Sequence, residues 1–505
     1  MSEFKSDSSV KRVMNNGVYT ALRFGIFTIS GFVLIPFLVG QFGKGTYGLI
    51  ALAGVLTQFV GFISGCISSS IGRFLNIALN KNDWEQSNQI FSTAIVANLA
   101  LILIQLPVFI FGVWKLHWLI DFPPEESRDF RILVSCNIIV YLITVLFSVL
   151  RTPIQAANRL DISIKIEVVC QILKLALTFG LISWIGPDLW IIAGINLGIA
   201  IIGVIATFHV FVKFAGSIVF RTKYVTRKWV RPVMSMAVWS IVAELGQILF
   251  QRTDVLIINR FVDIELAGVC AALLVWPNFV QQIAKNVSSL IMPVVMIDYA
   301  NDRIERIQDS LMLFSRLFSI LAIFICGFIM LFGGWVLELW MGEEFRQYHI
   351  YLILMLLHFP LTLAREAFWG IFPAFNKMHY LGISNLIGGF MNICLSLLAV
   401  YYGFGLAGVV IATGISLILQ RTFFMTYYAI KLLDIHWYRL VKCYIPGTFV
   451  MIAFMVQWIC FDNKYLIHMG VSSIIIACLF CLDVFLLERE SRNALKSIFT
   501  ALLRK

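Results

Sequence analysis

Apolar runs of about twenty residues, separated by short polar breaks, recur along this chain from residue 17 to residue 487. A run of that length as an α-helix spans the ~30 Å hydrocarbon core of a bilayer. In lipid every backbone N–H and C=O must be satisfied within the helix, so the pattern dictates one architecture. Composition agrees: 60% of the 505 residues are hydrophobic and 13% are charged, against about a quarter charged in soluble domains. The expected class is all-α, a polytopic membrane protein with about fourteen transmembrane helices.

The spans are predicted at 17–40, 46–72, 91–113, 130–150, 163–186, 189–212, 233–257, 265–293, 312–335, 347–369, 381–403, 405–430, 440–461 and 466–487. Residues 1–16 lack the apolar core and small-residue cleavage site of a secretory signal and read as a cytoplasmic tail. Lys and Arg concentrate in this tail, in alternate connections and in the tail at 488–505, while the intervening connections carry few. The positive-inside rule then sets both ends in the cytoplasm, as in a multi-pass protein of a bacterial inner membrane. The net charge of +11 is therefore a matter of membrane sidedness and implies no nucleic-acid partner.

The most basic connection holds Lys213, Arg221, Lys223, Arg227, Lys228 and Arg231. It reads either as an anchor on anionic head groups or as a linker between two halves. Weak internal repetition favours halves. Ala156-Ala157-Asn158-Arg159 follows span four and Ala374-Phe375-Asn376-Lys377 follows span ten; Phe42 with Tyr47-Gly48 opens span two and Phe261 with Ala267-Gly268 opens span eight. These matches share an offset of about 220 positions. Six spans per repeat make the repeats parallel, related by an axis along the membrane normal, with a cavity expected between two bundles. The predicted organisation is a six-helix bundle at 17–212, a basic cytoplasmic linker at 213–232, a second six-helix bundle at 233–430 and two additional helices at 431–487.

Little points to catalysis. The largest outer connection, about residues 114–129, carries Asp121, Glu125, Glu126 and Asp129 with no paired-acid arrangement. The seven histidines form no ligand-spaced cluster, no P-loop occurs, and Cys478 and Cys481 form a lone CxxC inside an apolar span. No enzyme activity, metal or cofactor is expected. Charges inside spans carry more information, because each costs about 2.5–3.5 kcal/mol at a helix centre on insertion scales. Arg23, Lys174, Lys285 and Arg365 are predicted to line a positive cavity suited to an anionic substrate. Glu244, Asp254 and Glu366 are the candidates for ion coupling; Arg252 and Arg316 read as paired or snorkelling. Arg365 and Glu366 are adjacent, so they point in different directions and do not neutralise each other face to face. Gly61 and Gly65 stand in GxxxG spacing, and Pro36, Pro107, Pro277 and Pro293 lie within spans.

Several stretches resemble the polysaccharide-transporter family, whose members include O-antigen-type flippases. Leu34–Leu52, LIPFLVGQFGKGTYGLIAL, is similar to that family's opening, and the second span ends Ser70-Ile71-Gly72-Arg73. ILFQRTDVLIINRF, containing Asp254, resembles its seventh span, and the Asn-basic pairs after spans four and ten resemble its inner loops. The family belongs to the multidrug, oligosaccharidyl-lipid and polysaccharide exporter superfamily. The resemblance implies two bundles about a central cavity, alternating access, and a prenyl-diphosphate-linked oligosaccharide carried to the outer leaflet. It also implies a place in lipopolysaccharide or other surface-polysaccharide biosynthesis, with contacts to membrane lipids and to a polysaccharide polymerase or other synthesis proteins. Two uncompensated charges leaving an inside-negative cell would gain about 4.6 kcal/mol at 100 mV. The alternatives are an ion-coupled multidrug antiporter, which would need acids in spans one to six, and a membrane-embedded sugar polymerase or glycosyltransferase, which would need a long outer loop. A non-transporting scaffold would tolerate loss of the intramembrane charges.

Overall fold

In the computed structural model the described residues are 9–81, 83–156, 160–214, 218–375 and 377–442, with 450–452, 454, 456, 470 and 474. Predicted spans thirteen and fourteen, the CxxC and the repeat residues Asn158 and Asn376 fall mostly or wholly outside them. Among the described residues every regular element is a helix and there is no strand. Among the described residues ten helices are long and apolar enough to cross a bilayer. The predicted spans between 17 and 430 all fall on helical segments. Large apolar side chains stand exposed along them, including Ile104, Val108 and Ile110 on one helix. An apolar surface of that extent demands lipid as its solvent.

Spans one and two form the continuous stretch Ser9–Asn80, broken at Gly43, where φ is +78°. Only glycine adopts that backbone without strain, so Gly43 turns the chain between two crossings. Asp83 starts the next helix, Trp84–Trp114, by accepting the Gln86 N–H at 2.9 Å. Span ten is not one plain helix. It runs as His349–Leu356, a turn, Phe359–Thr362, a 3₁₀ stretch Leu363–Gly370 and Ile371–Ala374. Pro360 supplies no N–H at the break. Span twelve passes from Gly405–Leu417 into a π-helical turn, Ile418–Met425, before Thr426–Leu433.

The chain divides into two compact units. The first comprises Met1–Ile248 with Val255–Ala272, and the second Leu249–Asp254 with Leu273–Lys505. In the first unit Ile71, Leu75, Ile90, Phe91 and Val149 share a buried cluster. The basic connection is fastened there: Val219 N–H donates to Asn88 at 2.9 Å and Thr226 N–H to Thr93 at 3.1 Å. The connection at about 114–129 is fastened too. Asp121 and Asn259 exchange two hydrogen bonds, Arg260 pairs with Asp121, and Thr46 donates to Glu126 at 2.6 Å. Gly48 and Gly268, the repeat-related glycines, meet backbone to backbone. A Cβ on Gly48 would lie 3.0 Å from the Gly268 nitrogen.

Candidate functional site

The charged side chains predicted within spans fall into three groups, each built inside one unit. In the first unit Arg23 comes from the Ser9–Asn80 helix and meets Glu167 of the Leu160–Ile185 helix, Nε to Oε2 at 2.7 Å. Arg151 reaches the other carboxylate oxygen, Nη1 to Oε1 at 2.9 Å. The Arg23 guanidinium also lies over the Phe27 ring, 5.6 Å from its centre. One carboxylate thus bridges two guanidiniums and leaves a net positive charge. Lys174 lies seven residues beyond Glu167, two turns along the same helix face and about 10 Å away. It is half-buried, and among the described residues its ammonium has no hydrogen-bond or ion-pair partner. Glu244, the remaining predicted acid of this unit, is exposed on the Val230–Phe261 helix.

Asp254 belongs to the second unit and is 5% exposed. Its Oδ1 accepts Asn392 Nδ2 at 3.2 Å, and its Oδ2 lies 2.7 Å from Thr413 Oγ1. The same hydroxyl oxygen is 2.8 Å from Asn392 Oδ1 and 3.2 Å from the Val409 carbonyl. A threonine hydroxyl has one hydrogen to donate, yet three acceptor oxygens surround it. The Val409 carbonyl already accepts the Thr413 N–H of its own helix, so the carboxylate and the Asn392 amide oxygen compete for the one hydroxyl hydrogen. A proton on the carboxylate or a small hard cation, which prefers oxygen donors, would relieve that competition. One carboxylate balances one positive charge. Residues 254, 392, 409 and 413 are thus the set that can hold a monovalent cation. Among the described residues no three His, Cys, Asp or Glu side chains gather into a group that could hold a metal ion.

The third group lies deep in the second unit. Glu366 pairs with Arg421 at 2.9 Å, both 3% exposed. This joins the 3₁₀ stretch of span ten to the π-helical turn of span twelve. Beside it Gln420 donates to Asn385 at 2.8 Å, and His358 Nδ1 is 2.9 Å from the Thr362 hydroxyl. Arg365 is 2% exposed, with its guanidinium 5.2 Å from the Phe368 ring centre. Lys285 is half-buried on the Val275–Ala300 helix of the same unit.

Sequence reasoning singled out Asp254, Arg23 and Glu366 without their partners. Asn392 and Thr413 are neutral residues in apolar spans, and no periodicity marks them. Arg421 stands in the second half of predicted span twelve, where position alone does not distinguish a paired cation from a snorkelling one. Arg151 and Glu167 flank the connection between spans four and five, and their pairing depends on helix packing.

No protein-family model matches the chain. An uncharacterized membrane protein of Bacillus subtilis (strain 168), EpsK, is 24% identical over 410 residues, covering 80% of this chain and 81% of the other. Among solved structures, the lipid II flippase MurJ in an inward closed conformation gives a TM-score of 0.68 at 15% identity, covering 93% of this chain and 98% of that one. An inward-facing multidrug resistance MATE family transporter of the MOP superfamily gives 0.60 at 17% identity, covering 83% and 95%. The chain has the fold of these polytopic helical membrane proteins.

Proposed function

We propose that this protein is a flippase that carries a prenyl-diphosphate-linked oligosaccharide from the cytoplasmic to the outer leaflet, by alternating access, for export of a surface polysaccharide. O-antigen-type polymers are the expected product class. The observation that carries this reading is the set of cations committed to spans: Arg23 and Lys174 in one unit, Lys285 and Arg365 in the other. Cations in spans are expensive, and a diphosphate headgroup is the kind of anion that repays them. The likeness of fold to a flippase of a lipid-linked precursor supports the same reading. The prenyl tail stays in lipid while the polar headgroup follows the cations. Two parallel six-helix bundles, with the basic connection on the cytoplasmic side, suit the movement.

Coupling is assigned to Asp254 with Asn392, Thr413 and the Val409 carbonyl. A monovalent cation or proton taken up there changes the charge of a buried carboxylate. Binding that differs between two conformations shifts their populations by that difference. Drug antiport is less favoured, because Glu167, an acid in the first six spans, already bridges two arginines.

The test is complementation of a deletion strain with Arg23→Gln, Lys174→Gln and Lys285→Gln at matched protein levels. Surface polymer and lipid-linked sugar in the cytoplasmic leaflet are both measured. Loss of polymer with lipid-linked sugar accumulating inside is expected. Normal polymer in all three variants would make these charges structural.

A further inference from the structure

Glu167 is an acid held between two cations, each engaged through one of its nitrogens. Each guanidinium offers five N–H groups in a planar fork that matches phosphate oxygens. Glu167 engages one nitrogen of Arg23 and one of Arg151, at 2.7 and 2.9 Å. Neither arginine has another hydrogen-bond or ion-pair partner among the described residues. The Arg23 and Arg151 side chains are 48% and 35% exposed and Glu167 is 24% exposed, so the cluster is open to a ligand. Lys174 continues the same helix face two turns deeper.

From this geometry we infer that Glu167 is a built-in stand-in for the headgroup: a diphosphate displaces it from Arg23, and Glu167 retakes Arg23 when the headgroup leaves. This rests on the flippase reading and deepens it. The carboxylate shares one negative charge between two cations, whereas a diphosphate ester brings at least two, with bidentate geometry for the Arg23 guanidinium. Displacement is therefore favourable on entry. The returning carboxylate competes with the headgroup at release, and it spares the arginines from standing uncompensated between cycles. Without such a competitor, a site that binds a diphosphate tightly holds it. Arg151 is then a positioning residue: it keeps Glu167 within reach of Arg23 after displacement.

The test measures binding of farnesyl diphosphate to the full-length protein in detergent, with farnesol and inorganic diphosphate as comparison probes. Glu167→Gln keeps the shape and removes the charge. It is expected to bind farnesyl diphosphate about five-fold tighter than the wild type, as follows from no longer breaking the partly exposed Arg23 ion pair on entry. Inorganic diphosphate should tighten in step, because the headgroup chemistry is shared, and farnesol should not change. In an Arg23→Gln background, Glu167→Gln should have no effect, an outcome that a merely structural role for Glu167 would not produce. Flipping by Glu167→Gln should slow while affinity rises, because release becomes limiting. Unchanged or weaker binding in Glu167→Gln, with Arg23→Gln still weakening it, would overturn the stand-in role and leave the cationic site intact. Absence of farnesyl diphosphate binding by the wild type and every variant would overturn both.

Discussion

At the scale of single residues, the oxygen cluster around Asp254 gathers a buried carboxylate, an amide and a hydroxyl from three spans. Thr413 Oγ1 stands 2.7 Å from the carboxylate, 2.8 Å from the Asn392 amide oxygen and 3.2 Å from the Val409 carbonyl. Its single hydrogen serves one of them at a time. A ligand that binds the folded state alone stabilises it by about 2.7 kcal/mol at a concentration one hundred times its Kd. Sodium should therefore raise the melting temperature of the detergent-solubilised protein above its value in choline. Asp254→Asn and Thr413→Val should each abolish that difference. An equal sodium shift in wild type and both variants would remove the cation from this cluster. Asp254 was visible in the sequence as an acid within an apolar run. Asn392 and Thr413 were not, since neutral polar residues cost little in a span and leave no mark on hydropathy.

At the scale of elements, the two irregular helices of the second unit face each other through Glu366 and Arg421. A 3₁₀ stretch turns its side chains at three residues per turn and a π turn at more than four, so each departs from the 3.6-residue register of an α-helix. These departures bring position 366 of one segment opposite position 421 of the other. Removing one partner of a buried pair strands the other charge, at a cost of about 3–5 kcal/mol. Glu366→Gln should destabilise the protein by about that amount, measured by reversible denaturation in detergent. Pairing Glu366→Leu with Arg421→Met should recover most of the loss. If Glu366→Gln melts with the wild type, this pair contributes nothing to the unit. The run 347–369 announced a span but not its interruption. Pro360 stands at the break, whereas nothing in the local sequence marks the π turn at Ile418–Met425.

At the scale of the whole molecule, the basic residues of 213–231 and the fastened outer connection at Asp121 and Glu126 belong to opposite sides of the membrane in the proposed topology. A cysteine at Lys223 should react with an impermeant maleimide only in inverted vesicles, and one at Glu125 only in intact right-side-out cells. Labelling of both from one side would refute the orientation. The basic connection is held to Asn88 and Thr93 by backbone hydrogen bonds, so it acts as a fixed part of the first unit. Charge counting assigned it a side but not that attachment.

The sequence by itself determined the class of fold, the positions of the spans up to residue 430 and the residues whose charge is costly in lipid. It could do so because the bilayer imposes a one-dimensional rule: about twenty apolar residues with their hydrogen bonds closed within the helix. Only the tertiary structure decided which charges meet. Arg23 with Glu167 and Arg151, Asp254 with Asn392 and Thr413, and Glu366 with Arg421 each join residues from different spans. Such contacts depend on how helices pack and on where a 3₁₀ or π turn rotates a face, and hydropathy along the chain is silent about rotation.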